Sequence, residues 1–270
     1  MTADYFSGIA IDAAQRDRIR ALPEAEKTLV VFFTPRSGSS WLADILAQSQ
    51  GFGRASELFN PNFIPKAASA LQSDTLDDYI YAARRRLAVG GVFSFEITMH
   101  QLNVVFEGPE DFHQRFGNSH MVWLVRRDIV AQAVSLAKMV NVKIDHSPRF
   151  SDADVWAADR EFSYSNKAIA NWIRHIRRAE IKTEEYFFRH GIRPLRLVYE
   201  SMTNDGPLHT LRTIASHTGV YLPEDITIIE QHRKIGTRQN EEFAAIFRRR
   251  NWIFVKALEW QRRGLMSQNT

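Results

Sequence analysis

Residues 28–50 read TLVVFFTPRSGSSWLADILAQSQ, and the order of residue types in them decides the fold. Leu29 to Phe33 is an apolar, β-branched and aromatic run, too short and too closely flanked by polar residues for a helix, so it predicts a buried parallel strand. Thr34-Pro35-Arg36-Ser37-Gly38-Ser39-Ser40 then supplies a loop. Pro35 stops the ladder, Gly38 allows a left-handed or closely approached backbone, and Ser39 is available as a helix N-cap. From Trp41 the period becomes helical, with Trp41, Leu42, Ile45 and Leu46 on one stripe.

A strand that turns sharply into a helix aims several backbone N–H groups without intrahelical partners at one point, backed by the positive helix end. That point is an anion site. An ordinary turn with a capping serine is the plain alternative, and Arg36, added to the hydroxyls of Ser37, Ser39 and Ser40, tips the reading toward a phosphate or sulfate group. The lysine of a Walker A loop is absent and Gly38 stands alone, which disfavours an ATP or GTP hydrolase.

Outward from this loop, short apolar strands alternate with helical patterns. Leu29 to Phe33, Val92 to Ile97, His120 to Val125 and Arg193 to Tyr199 read as strands. Asp74 or Thr75 can cap a helix through Arg86, Glu107 to Asn118 reads as a polar excursion, Val142 to Asp154 as a loop suited to a lid or acceptor-binding segment, and Gly206 to His217 as a helix. The alternation predicts an α/β sandwich with a mainly parallel sheet, whose ligands sit at the carboxyl ends of the strands. The loops at 34–40 and 126–128 both follow strand ends and so can share one edge.

Composition bounds the rest. The 270 residues are 44% hydrophobic, enough for one substantial core, and no Pro/Gly/Ser-rich linker splits them. The expected organisation is one domain over 1–270, with a preface at 1–27 and a C-terminal helical segment at 240–270. Lys plus Arg at 35 against Asp plus Glu at 31 is a mild basic excess, compatible with an anionic ligand or with solvated surface. Zero cysteines exclude disulfides and thiolate metal sites. No metal-type histidine spacing, long apolar run or secretion signal occurs, and the chain reads as cytoplasmic and free of catalytic metal. The arginine runs at 84–86 and 248–250 read as solvated helix faces, with no nucleic-acid partner.

TPRSGSSWL followed by GFGRASELF resembles the bacterial trehalose 2-sulfotransferase family of the sulfotransferase superfamily. The resemblance implies a P-loop-like three-layer sandwich, with the central sheet flanked by helices. It also implies 3'-phosphoadenosine 5'-phosphosulfate as donor, 3',5'-ADP as product, no metal, and a hydroxyl of a carbohydrate or glycolipid as acceptor. Pro35, Arg36, Ser37, Gly38, Ser39 and Ser40 would then hold the 5'-phosphosulfate, with Arg36 also stabilising the leaving phosphate. A peripheral membrane contact, if the acceptor is a glycolipid, and a homodimer stay open. Outside this family, a P-loop-fold kinase and a non-catalytic basic adaptor for nucleic acid or membrane are the rival readings.

Read alone, Arg126-Arg127-Asp128 is a capped helix start with solvated arginines, and Gln132 and Ser135 are neighbours on the face of that helix. By the resemblance, Arg126 and Ser135 hold the 3'-phosphate, with Arg127 the fallback. Glu57 is, on the same comparison, the base that takes the acceptor's proton. A helix from Ser39 to Gln50 is about 18 Å long, and the extended chain from Gly51 to Glu57 spans about 23 Å, so Glu57 can return to the sulfate end. Glu96 stands where the family pattern has lysine, which makes it either an alternative base or a sign that the acceptor differs. Ile235 to Asn240 occupies the region from which many sulfotransferases close a basic loop over the donor, with Arg238 a donor contact.

Overall fold

The computed structural model describes residues 5–142, 151–229 and 237–266. Helix α1 (Ala13–Arg20) precedes β1 (Lys27–Phe32), which runs through the loop into α2 (Ser39–Gln48). Helices α3 (Ile64–Leu71) and α4 (Leu76–Arg86) lead to β2 (Val92–Ile97), and α5 (Met99–Val105) and α6 (Pro109–Phe116) lead to β3 (His120–Val125). Then come α7 (Ile129–Val142), α8 (Asp152–Glu161), α9 (Asn166–Arg189), β4 (Leu195–Val198), α10 (Tyr199–Asp205), α11 (Pro207–Thr218), α12 (Arg238–Arg250) and α13 (Trp252–Arg262).

The strands form one sheet in the order β2-β1-β3-β4 with parallel ladders throughout. Strand β1 is central and buried on both faces, which is why it reads as a continuous apolar run. Its period-2 alternation divides the core: Val30 and Phe32 join the cluster under α4, α5 and α6, while Leu29 and Val31 join the one under α2, α10 and α11. A third cluster lies among α7, α9, α12 and α13. The three-layer α/β sandwich expected from the sequence is present.

The chain runs from β1 to β2 on one side and returns to β3 on the other. The connections from β1 and β3 therefore diverge, and the crevice between their carboxyl ends is the switch point where parallel sheets take ligands.

Four local readings are corrected. Residues 107–118 are not an irregular excursion: α6 starts with Pro109 in its first turn and buries Phe112 and Phe116, four apart on one face. The polar residues between them masked this two-residue apolar stripe. Ser39 is not the N-cap, since Gly38 takes that place in a left-handed conformation and Ser39 opens the helix. Strand β4 stops at Val198, and Tyr199 begins α10. Of the segment read as a loop at 142–154, residues 143–150 lie outside the described residues, Val142 ends α7 and α8 begins at Asp152. Thr75 caps α4, its hydroxyl accepting from the Asp78 N–H.

Candidate active site

The loop after β1 is shaped by two residues with positive φ, Arg36 at 67° and Gly38 at 97°. A β-carbon on Gly38 would lie 2.4 Å from Cδ2 of Tyr199, so the aromatic ring fills the space that the glycine leaves. Helix α7 grips the loop from the β3 side. The fully buried Gln132 donates to the Thr34 hydroxyl at 2.9 Å and to the Pro35 carbonyl at 2.8 Å, and Arg36 Nε donates to Ser135 Oγ at 3.0 Å. Gln132 and Ser135 share a face of α7, as their spacing predicts, and that face is turned to the loop.

Arg126 leaves the end of β3 and donates to the Arg36 carbonyl at 3.0 Å. Its guanidinium carbon lies 4.9 Å from the centre of the Tyr199 ring, and Nε is 3.9 Å from Glu200 Oε1. Two donors here are buried with no hydrogen-bond partner among the described residues, the Ser37 hydroxyl and Arg126 Nε. A buried polar group without a partner is costly, and an anion in the crevice satisfies such donors. The fallback Arg127 contributes its backbone N–H to Glu200 at 2.8 Å, and Asp128 caps α7 through Ala131 at 2.9 Å.

Glu57 reaches the same edge. The loop carrying it is pinned on both sides, by Glu96 N–H donating to the Ser56 carbonyl at 3.0 Å and by the Tyr79 hydroxyl donating to the Leu58 carbonyl at 2.8 Å. Leu58 and Phe59 are buried in the aromatic cluster. The Glu57 carboxylate accepts from Asn60 at 2.8 Å and from Gln101 at 2.5 Å. Gln101 is itself fixed by the capping box with Thr98 that opens α5. These contacts with Gln101 and Glu96 supply what reach alone could not: they bring the loop back to the ends of β1 and β2.

Glu96 is 6% exposed on β2, opposite Val31 of β1. Burial pushes its carboxyl well above the usual range; the Glu57 carboxyl pushes the same way, and the hydrogen bond to Ser39 and the charge of Arg54 oppose them. Glu57 and Glu96 therefore form a carboxyl pair beside the first residue of α2. The folded protein keeps the Glu96 proton at a pH where the unfolded chain, with an ordinary glutamate pKa of about 4.3, has lost it. Between those two values stability falls as pH rises, because the native state binds more protons. Glu96→Gln removes this dependence, so its stability relative to wild type should rise steadily from about pH 4 upward. Urea unfolding across pH measures it, and parallel curves for the two proteins would dismiss the buried-acid account.

Arg238 is placed differently. It lies in the first turn of α12 with its side chain 92% exposed and paired with Glu242 at 3.0 Å. Ile235 and Gly236 lie outside the described residues. Sequence reasoning missed Tyr199, whose ring sits against Gly38 and Arg126. The close approach that a glycine permits was the available signal, but not its partner. It also missed Gln132 as a grip on the loop and Gln101 as a holder of Glu57.

Among the described residues no group of three or more His, Asp or Glu side chains is placed to hold a metal ion. No described helix is long and apolar enough to cross a membrane. No curated protein matches the chain. Residues 98–250, more than half of the chain, match the family model described as Stf0 sulphotransferase, a span that holds Glu57's partner Gln101, Arg126, Ser135 and Tyr199 but begins after the loop at 34–40 and after Glu57 itself. With its parallel sheet and a switch-point crevice lined by hydroxyls and guanidinium groups, the chain belongs to the Stf0 sulphotransferase family and is a sulfotransferase.

Proposed function

We propose that the chain works as one domain that moves a sulfuryl group from 3'-phosphoadenosine 5'-phosphosulfate to a hydroxyl of a carbohydrate or glycolipid. The observation that carries this reading is the chain of contacts Ser135–Arg36–Arg126 across the mouth of β1 and β3. It sets two arginines side by side, one at each of the loops read as gripping opposite ends of the nucleotide.

In this reading the loop at 34–40 holds the 5'-phosphosulfate, and Arg126 and Ser135 take the 3'-phosphate. The Ser37 hydroxyl and Arg126 Nε are the buried unpartnered donors that fit such a ligand. The bound donor supplies an activated sulfur. The acceptor oxygen bonds to that sulfur as the bond to the phosphate oxygen breaks, and 3',5'-ADP leaves. Glu57 receives the hydroxyl proton, and Arg36 neutralises charge on the departing phosphate. Asn60 and Gln101 hold the base in place. Arg238 remains a proposed donor contact.

Calorimetry with 3',5'-ADP, 5'-AMP and ATP tests the donor. Wild type should favour 3',5'-ADP over the other two. Arg126→Met should weaken 3',5'-ADP by roughly 10- to 150-fold, the loss of about 1.5–3 kcal/mol for a hydrogen bond to a charged group, and leave 5'-AMP within threefold. Equal or tighter binding of ATP with magnesium would favour phosphoryl transfer instead. Labelled donor with a panel of sugars and glycolipids identifies the acceptor.

A further inference from the structure

Helix α13, which lies beyond the matched span of residues 98–250, carries Arg262. This residue is only 2% exposed, and its guanidinium makes four hydrogen bonds. Nε and one terminal nitrogen donate to the two carboxylate oxygens of Glu180, itself 1% exposed on α9, at 2.9 and 2.6 Å. The remaining donors go to main-chain carbonyls, that of Arg127 at 2.9 Å and that of Arg126 at 2.6 Å. The ladder between β3 and β4 ends at Val125 and Val198, so these two carbonyls fall just past the last strand partner; that of Arg127 also accepts from the Ile129 N–H at 3.0 Å, and that of Arg126 takes Arg262.

The same peptides are held from their other side. Glu200, in the first turn of α10, accepts from the N–H groups of Arg127 and Asp128 at 2.8 and 3.0 Å. Residues 126–128 are thus fixed in two directions at the point where Arg126 departs for the crevice. A buried ion pair is a poor device for stability, since apolar residues of similar volume commonly do as well. A forked guanidinium bonded to a carboxylate and to two successive carbonyls is instead a device for orientation.

We infer that Arg262 is a positioning residue for the donor site: anchored by Glu180, it fixes the main chain at Arg126 and Arg127 and so aims the Arg126 guanidinium at the 3'-phosphate. The C-terminal helix is then part of the donor-binding apparatus although none of its side chains touches the nucleotide. The inference rests on the proposed role of Arg126.

The test reads the ratio of 5'-AMP to 3',5'-ADP dissociation constants, which reports the 3'-phosphate grip alone. The double variant Glu180→Leu with Arg262→Met removes both members of the buried pair, and Arg177, which also reaches Glu180 at 3.4 Å, keeps Glu184 at 3.2 Å. It should lower the ratio about 10-fold, because small misplacement of a binding group is costly. The KM for the donor should rise by a similar factor with kcat near wild type. Glu180→Gln keeps one acceptor for the fork and loses the other, and should lower the ratio by less than the double variant does. Arg262→Lys keeps the charge opposite Glu180 but loses the fork, and should lower the ratio at least threefold; it gives the reading should the double variant fail to fold. A purely structural role would lower urea midpoints in all three variants and leave every ratio unchanged, which overturns the inference. A wild-type ratio near one overturns the role of Arg126 and this inference together. A high wild-type ratio, abolished by Arg126→Met but untouched by the Arg262 variants, overturns this inference alone.

Discussion

Replacing Glu57 by glutamine should lower turnover by about two to four orders of magnitude, the usual contribution of a positioned base, while leaving 3',5'-ADP binding unchanged. The substitution is mild for the structure. One glutamate oxygen accepts both amide hydrogen bonds, from Asn60 and Gln101, and a glutamine carbonyl can accept both in the same place. The surrounding anchors do not involve the carboxylate: the Ser56 carbonyl stays on Glu96 N–H and the Leu58 carbonyl on Tyr79. What is lost is the ability to take a proton. Single-turnover measurement with saturating donor isolates that step. Near-normal turnover would remove Glu57 from the mechanism and turn attention to Glu96, which lies beside Ser39 on the next strand.

Gly38→Ala should cost both stability and nucleotide binding. At a φ of 97° an L side chain is strained, at a cost of about 1–2 kcal/mol. The new β-carbon would also meet the Tyr199 ring at 2.4 and 2.9 Å. Moving that ring disturbs the first turn of α10 and the surface on which Arg126 lies. Overpacking of this kind costs about 1–3 kcal/mol, so a total loss of about 2–5 kcal/mol in stability is expected. Binding of 3',5'-ADP should fall at least about 100-fold, because loop and arginine are displaced together. Adding Tyr199→Ala should recover the packing part of the stability but not the backbone part. If Gly38→Ala binds the nucleotide within threefold of wild type, the loop conformation is not what holds the ligand.

The proximity of the two arginines has a direct origin in topology. A central β1, flanked by strands reached in opposite directions, leaves its carboxyl end open between diverging connections. Arg126, the first residue past β3, and Arg36, the fourth past β1, are both delivered there. The invasion of α7 side chains into the loop follows from the same placement, since Gln132 and Ser135 lie on the first turns after β3.

Local patterning was enough to identify the strands, the α/β class, the turn at Gly38 and the capping role of Asp128. In these cases the cause lies within a few residues: apolar runs exclude water from both faces, a proline interrupts a ladder, and a side chain bonds an amide three positions on. The same was true of the shared face of Gln132 and Ser135, which helical spacing alone dictates. Helix α6 escaped because only two of its residues are buried, too few to stand out against polar neighbours. The long-range partners were set by tertiary packing: Tyr199 against Gly38, Gln101 on Glu57, Glu96 beside Glu57, and Arg262 on the carbonyls of Arg126 and Arg127. Each joins groups far apart in the chain, and hydrogen-bonding capacity or buried charge in the sequence states a need for a partner without naming it. Which partner answers is decided only when parallel strands, placed side by side, bring their ends to one edge.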